Sequence, residues 1–227
     1  MMIYTQKMMK ILFVVFGMGV FFFYLTKVNA DGSGNFSGEE RKAYKNAKKF
    51  IDVKMVGKFG IYTNYLERKT ANKSDATGHQ YLSESSGLYL LNLAYSNNKR
   101  EFIKFYNITK RNFYHDGVFI YRLDINHRKK YQVNATIDDL RIIKALLIYD
   151  QIHRTNYYQS ESEKLFKNLK EKVESKSYLV DYYSINDKKK SKNVTLSYQD
   201  VQLLKKFDRK LYRKSLKLVK EGFISKK

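Results

Sequence analysis

The stretch 135-ATIDDLRIIKALLI-148 decides the fold of this chain. Its apolar residues follow helical spacing and become nearly continuous towards the end, a pattern that indicates a helix buried on most of its sides. The helix is predicted to begin near Thr136. It is the most hydrophobic stretch after residue 30, so we expect it to lie at the centre of the molecule.

Further helices are predicted on both sides of this stretch. They span roughly 38–56, 83–95 and 99–113 before it, and roughly 160–174 and 199–219 after it. Ser37 and Glu40 have the spacing of a capping box at the first of these helices, and residues 118–124 predict a short extended segment. Helices of this length indicate an all-α protein, and short loops between them favour antiparallel hairpins.

The first thirty residues have the parts of an export signal. Lys7 and Lys10 precede the apolar run Ile11–Leu25, and no acidic residue occurs before Asp31. The segment ends in Val28-Asn29-Ala30, a small-x-small pattern that signal peptidase recognises. The apolar run is shorter than the roughly 20 residues that usually span a bilayer. These features favour a cleaved signal peptide.

An uncleaved membrane anchor is the alternative interpretation of the same segment, because Lys27 could act as a stop-transfer flank. The predicted organisation is a signal peptide or anchor over 1–30, a flexible linker over 31–37 and a helical domain over 38–227. With either N-terminus, the part from residue 31 onward faces the outside of the cell. We expect a secreted or extracellular protein whose contact with a membrane, if any, is limited to the N-terminal segment.

The amino-acid composition indicates which kinds of molecule this protein could bind. The chain has 227 residues, no Cys, no Pro and a net charge of +22. An exported domain without cysteines relies on a buried core rather than on disulfides. The charge attracts polyanions such as anionic cell-wall polymers, although a solvated basic surface without a partner is the alternative. Nucleic acid is not an expected partner, because the compartment does not fit and no recognition helix is evident.

The sequence does not contain the motifs of several common kinds of catalytic or cofactor site. The four histidines show no metal-site spacing, and the chain has neither a Gly-rich phosphate loop nor a G-x-S-x-G nucleophile elbow. We therefore predict no metal and no cofactor.

Three segments together carry a family resemblance. The segment 83-SESSGLY-89 is similar to S-E-G-x-G-Y-G, and 118-VFIYR-122 resembles a short stretch that ends in Trp-Arg. The segment 135-ATIDDLRI-142, followed by Ala145-Leu146-Leu147, is similar to A-[ST]-D-[AG]-D-x-x-[IM]-A-x-A-L. The order and spacing of the three resemble those of family 8 glycoside hydrolases. The resemblance covers about residues 38–198.

The resemblance implies a fold, an activity and site residues. The fold would be an (α/α)6 toroid of helical hairpins, incomplete in this chain. The activity would be inverting hydrolysis of a β-linked polysaccharide such as glucan, chitosan, xylan or exopolysaccharide. Glu84 would be the general acid, and Asp139 would hold the sugar at the cleavage subsite. Tyr121, Arg122 and Tyr198 would contact the substrate.

The chain also departs from the family pattern. Ile137 replaces the first Asp of the signature, and Asp138 replaces its small residue. Ser85 and Tyr89 stand where the family has glycines. No residue matches the catalytic base by motif, and Asp181 is only the nearest late carboxylate with aromatic neighbours. The departures leave three alternatives: a truncated hydrolase, a shortened but functional member, or a degenerate copy.

The same residues could also have purely structural roles, without any part in catalysis. Glu84 suits the start of a helix, where a carboxylate complements the helix dipole. Thr136 and Asp139 have capping spacing. Two further hypotheses therefore stand beside the hydrolase: a non-catalytic protein that binds polysaccharide or wall polyanion, and a basic membrane-attached protein unrelated to glycans.

Overall fold

The computed structural model describes residues 37–66, 79–124 and 129–222. The predicted signal or anchor segment, and all of the predicted linker except Ser37, lie outside the described residues. The chain divides into two compact units, Met1–Ala47 and Lys48–Lys227. The fold and the site described below belong to the second unit, and helix α1 begins in the first.

Helices dominate the described residues, which confirms the prediction of an all-α protein. They are α1 (Gly38–Phe50), α2 (Ser83–Tyr95), α3 (Lys99–Phe113), α4 (Thr136–His153), α5 (Gln159–Val173), α6 (Val201–Phe207) and α7 (Arg209–Gly222). The capping box before α1 is formed, since Glu40 N donates to Ser37 Oγ at 3.2 Å and Ser37 N donates to Glu40 Oε2 at 2.7 Å. A π-helical turn, Ile51–Met55, extends α1.

Short antiparallel strand pairs connect the helices. They are β1 (Val56–Gly57) with β2 (Gly60–Ile61), β4 (Tyr114–His115) with β5 (Val118–Phe119), β8 (Glu174–Ser175) with β9 (Tyr178–Leu179), and β10 (Tyr183–Ser184) with β11 (Lys189–Lys190). A three-stranded sheet has the order β3 (Tyr81–Leu82), β6 (Arg122–Asp124), β7 (Lys129–Lys130). The extended segment predicted over 118–124 is therefore confirmed.

Helix α4 lies at the centre of the core, as its sequence predicts. Leu140, Ile142, Ile143, Ala145 and Leu146 are all completely buried. Full burial of one large aliphatic side chain stabilises the fold by about 1.5–3 kcal/mol, so this helix contributes a large share of the hydrophobic stabilisation.

Helix α2 is the neighbour that packs most extensively against α4. Gly87 allows the close approach, because a Cβ at this position would lie 3.1 Å from Arg141 Cβ and 3.4 Å from Ile142 Cγ1. A larger residue would push the two helices apart. The first turns of α2 and α4 are therefore held side by side.

The predicted single helix over 199–219 is wrong, because the segment forms two helices. Asp208 interrupts it with an extended backbone, at φ −148° and ψ 104°. Its Oδ1 accepts hydrogen bonds from Lys210 N at 2.8 Å and Leu211 N at 2.9 Å, which is the capping of a new helix start. Lys170 Nζ also binds Asp208, at 2.6 Å.

Within the described residues, no helix combines the length and the apolar character that a membrane crossing requires.

Candidate active site

Glu84 is the second residue of α2, and the sheet places it there. Tyr81 and Leu82 pair with Leu123 and Arg122 of β6. Ser83 N then donates to the carbonyl oxygen of Tyr121 at 3.0 Å. The entry into α2 is therefore fixed by backbone hydrogen bonds, and the direction of the Glu84 side chain follows from it.

The first turn of α4 meets this helix start through one arginine. Arg141 Nη1 donates to Glu84 Oε1 at 3.0 Å and to Asp138 Oδ1 at 2.9 Å. Ser83 Oγ donates to the other oxygen of Asp138 at 2.8 Å. We call Ser83, Glu84, Asp138 and Arg141 the acid–arginine cluster. One guanidinium nitrogen thus joins two carboxylates from different helices.

The two carboxylates of the cluster differ in exposure. The side chain of Glu84 is 48% exposed, whereas that of Asp138 is only 6% exposed. The pKa of Asp138 is raised to about 6, mainly by burial and also by the charge of Glu84, against the lowering effects of the Ser83 hydrogen bond and of Arg141. Asp138 can therefore hold a proton in mildly acidic solution, while Glu84 is accessible to a ligand.

Tyr198 lies close to the cluster, in the short 3-10 helix Leu196–Tyr198. Burial raises the pKa of Tyr198, and the negative charges of Asp138, Asp181 and Glu84 also raise it. Its hydroxyl is therefore within electrostatic reach of all three carboxylates. The assigned contact of Tyr198 with a substrate stays a prediction.

Asp181 is held by a neighbouring threonine. Thr195 N donates to Asp181 Oδ1 at 2.6 Å, and Thr195 Oγ1 donates to Asp181 Oδ2 at 2.8 Å. The backbone carbonyl of Asp181 accepts from Thr136 N at 2.9 Å. This carboxylate anchors the loop that precedes Tyr198 to the start of α4.

Asp139 points into the interior. It is 2% exposed, and it accepts hydrogen bonds from Phe119 N at 2.8 Å and from Asn134 Nδ2 at 2.9 Å. Burial raises its pKa well above the usual value for a carboxyl group. In this position Asp139 ties β5 and the segment before α4 together. Its assigned contact with a sugar stays a prediction.

The capping alternative for Thr136 and Asp139 is not formed. The N-cap of α4 is Ala135, without a side-chain cap, and Thr136 Oγ1 donates instead to the carbonyl oxygen of Val180 at 2.5 Å.

Tyr121 and Arg122 lie on the sheet side of the cluster. Tyr121 is half-buried, and its ring meets Tyr131 edge-on with the ring centres 5.6 Å apart. Arg122 is 1% exposed, and its guanidinium lies over the Tyr131 ring at 4.5 Å. A substrate contact by Arg122 would require this region to open, and its assigned role stays a prediction.

The sequence analysis did not assign Ser83, Asp138 or Arg141 to the site. Two signals were available: Ser83 precedes Glu84 directly, and Asp138 and Arg141 have the i, i+3 spacing of an ion pair on a helix. The link from Arg141 to Glu84 crosses 57 positions and depends on the packing of α2 against α4.

The arrangement places an accessible carboxyl group beside an arginine at the start of α2. Glu84 faces solvent, and two exposed apolar residues, Leu88 (51%) and Tyr95 (56%), continue along α2 from it. This surface therefore combines a carboxyl group with exposed apolar area. Among the described residues, no group of three His, Cys, Asp or Glu side chains could hold a metal ion.

No protein-family model matches the sequence, and no curated protein matches it significantly. Solved structures do match. A novel alpha-amylase from Clostridium perfringens has 32% identity and a TM-score of 0.69, over 79% of this chain and 54% of that chain. PssZ from Listeria monocytogenes has 23% identity and a TM-score of 0.57, over 74% and 51%. The family 8 endoglucanase Cel10 from Klebsiella pneumoniae has 17% identity and a TM-score of 0.58, over 78% and 56%.

These likenesses define the class of protein: the chain has a helical-hairpin fold of the (α/α)6 toroid type, as predicted. Within that class, the fold is that of the family 8 glycoside hydrolases. The chain spans about half the length of the solved structures that it matches, so it corresponds to part of such a toroid.

Proposed function

We propose that this chain is an exported glycoside hydrolase that acts on a β-linked polysaccharide by inversion. The observation that carries the proposal is the acid–arginine cluster, which places the accessible carboxyl group of Glu84 at the start of α2 within a family 8 fold. The similarity to Cel10, which is an endoglucanase, supports the β-linked substrate.

Glu84 is the proposed general acid, which protonates the leaving oxygen of the glycosidic bond. Asp138 is a positioning residue rather than the base. Through the shared nitrogen its Oδ1 lies at most 5.9 Å from Glu84 Oε1, the sum of 2.9 Å and 3.0 Å. Inverting enzymes separate their carboxyl groups by about 6.5–9.5 Å to leave room for water, so this pair is too close for that role.

The test is release of reducing ends from glucan, xylan, chitosan and poly-N-acetylhexosamine. We expect turnover of at least one polymer and a loss of about 10²–10⁴-fold in Glu84→Gln, because general acid catalysis contributes that much. Glu163→Gln is the matched control, since Glu163 is an exposed glutamate on α5. No turnover by the wild type, or equal turnover in Glu84→Gln, would refute the hydrolase.

An α-linked glucan is a second candidate substrate, favoured by the 32% identity to a protein named as an alpha-amylase. Starch therefore belongs in the same panel. Turnover of starch alone would assign the α-linkage and overturn the β-linkage, while Glu84→Gln would test the same acid.

A non-catalytic polysaccharide-binding protein is the alternative function. It is favoured by the engagement of the described late carboxylate Asp181 with Thr195 and by the burial of Asp139. This alternative predicts glycan retention without turnover. Affinity electrophoresis in gels containing each polymer measures it, and unchanged mobility in all gels would exclude it.

Export and an anionic wall polymer as partner complete the proposal. The N-terminal pattern before Asp31 and the charge of +22 support them. Expression in a bacterial host, followed by N-terminal sequencing of the secreted protein, is expected to give Asp31 as the first residue. A chain that stays in the cell with Met1 intact would contradict cleavage.

A further inference from the structure

Helix α7 presents a row of cations to solvent. Its exposed residues include Arg209, Lys210, Arg213, Lys214 and Lys217, which we call the α7 basic face. These five residues alone line a shallow concavity of about 530 Å³. Arg209, Arg213 and Lys217 follow one another at single-turn intervals, about 6 Å apart along the axis. The helix therefore carries a regular line of positive charge.

Apart from Lys217, the cations of this face form no ion pair with a carboxylate of the described residues. Among residues 37–66, 79–124 and 129–222, the ion pair recorded for the face joins Lys217 to Glu221, at 3.7 Å and largely in solvent. Elsewhere in the described chain, lysines are paired closely, for example Lys144 with Asp200 at 2.8 Å and Lys172 with Asp116 at 2.7 Å. Like charges on one helix repel one another, so the face is available to an external anion.

The opposite side of α7 fixes this face in place. Leu211 is buried, and Ser215 Oγ donates to Gln199 Oε1 at 2.9 Å in the interior. Asp208 caps the helix start. The backbone positions from which these side chains project are therefore set by the fold before any ligand binds, so binding does not have to order the helix itself.

The composition of the face selects the kind of anion. None of the exposed residues of α7 is a large apolar side chain, and Leu216, Leu218 and Val219 are half-buried, so the basic face itself offers no apolar area for insertion into a bilayer. None is aromatic either, and Tyr212 is half-buried beside Lys205. Bases of nucleic acid usually stack on exposed aromatic rings. A flexible polymer with repeated phosphate groups needs neither feature.

We propose that the α7 basic face is a binding site for a flexible, linear, phosphate-bearing polymer. Arg and Lys both donate to phosphate oxygens, and arginine does so with two parallel bonds. The proposal gives a location to the polyanion partner of the proposed function, and it does not depend on hydrolysis at Glu84.

The test measures fluorescence anisotropy of labelled long-chain polyphosphate with the full chain. Arg209→Gln/Arg213→Gln/Lys217→Gln removes three charges of the face, and Lys167→Gln/Lys189→Gln/Lys192→Gln removes three exposed charges elsewhere. We expect at least about tenfold weaker binding for the first variant and a change below about twofold for the second. Wild-type affinity should fall with salt, because screening weakens exposed charges.

Three results would overturn the site: equal losses in both variants, no binding of polyphosphate, or face-dependent binding of phosphatidylglycerol vesicles or poly(dT) in preference to polyphosphate. Circular dichroism of both variants checks that the helices remain. Since the reducing-end assay is separate, a hydrolase with no polyphosphate binding and a polyphosphate binder with no turnover are distinguishable outcomes.

Discussion

The acid–arginine cluster and the α7 basic face use charged side chains in opposite ways. In the cluster, Arg141 and Asp138 are largely covered, and one guanidinium pairs with two carboxylates at 2.9 and 3.0 Å. On α7 the cations are exposed, and the ion pair described for them, between Lys217 and Glu221, is long at 3.7 Å and lies largely in solvent. Interactions of buried charges depend strongly on geometry, whereas exposed charges act mainly through a screened, longer-range field. The first region is therefore suited to positioning single atoms, and the second to attracting a polymer.

Among the variants considered, replacement of Arg141 should have the largest effect on the free energy of unfolding. Arg141→Met leaves Asp138 buried without a cation and brings two carboxylates together. We expect a loss of about 2–3 kcal/mol in the free energy of unfolding, below the full value for a buried pair because Arg141 is 27% exposed. Urea denaturation near pH 7 measures it.

The double variant Arg141→Met/Asp138→Asn supplies the control for that prediction. It removes the unpaired charge as well, so part of the lost stability should return. If the single and double variants are equally unstable, the loss is due to packing of the arginine stem rather than to charge.

A larger residue at the close contact of α2 and α4 should have the next largest effect on stability. Gly87→Val places methyl groups against Arg141 and Ile142, and overpacking of this kind costs about 1–3 kcal/mol. The matched control is Gly38→Ala, where no atom lies within 4 Å of an added Cβ. Thermal unfolding should show a lower Tm for the first variant only, and an unchanged Tm in Gly87→Val would contradict the close approach.

The cluster should also make stability depend on pH. The pKa of Asp138 is about 6 in the folded chain and lower in the unfolded one, so the folded state binds the extra proton between about pH 4 and 6. This carboxyl group therefore lowers stability as pH rises through that window, by up to about 1.4 kcal/mol per pH unit. Asp138→Asn should remove that contribution from the pH profile, and an unchanged slope would argue against it.

Neutralisation of the α7 basic face should have the smallest effect on folding. Arg213→Gln/Lys214→Gln removes two exposed, like charges, and we expect a change within about 0.5 kcal/mol, with a slight gain in low salt. A loss above 1 kcal/mol in urea denaturation would mean that these side chains contribute to the fold, and the contrast between the two regions would weaken.

Local patterns in the sequence were sufficient for much of the fold. The bounds of α2 and α3 agree with the prediction because each has its apolar residues at helical spacing and polar residues at its ends. The central position of α4 follows from its hydrophobicity. The break at Asp208 was missed because Lys205 to Leu211 continue a helical pattern, and only the capping hydrogen bonds reveal a new helix start.

Less of the candidate site than of the fold could be predicted from the sequence. The prediction named Glu84, but its contact with Arg141, and through Arg141 with Asp138, forms only through the packing of α2 against α4. The sequence places two adjacent aspartates at the start of α4 and does not show which one faces Glu84. That distinction depends on Asn134 and the backbone of Phe119, which draw Asp139 inward.

The single nitrogen of Arg141 that joins two carboxylates also restricts how this chain can evolve. Replacing Arg141 first would strand a covered anion, whereas replacing Asp138 by Asn first would leave the arginine paired with the exposed Glu84. Substitutions at the three positions are therefore tolerated in a particular order. In descendants of this sequence, loss of the arginine should be found only where the aspartate has already been lost.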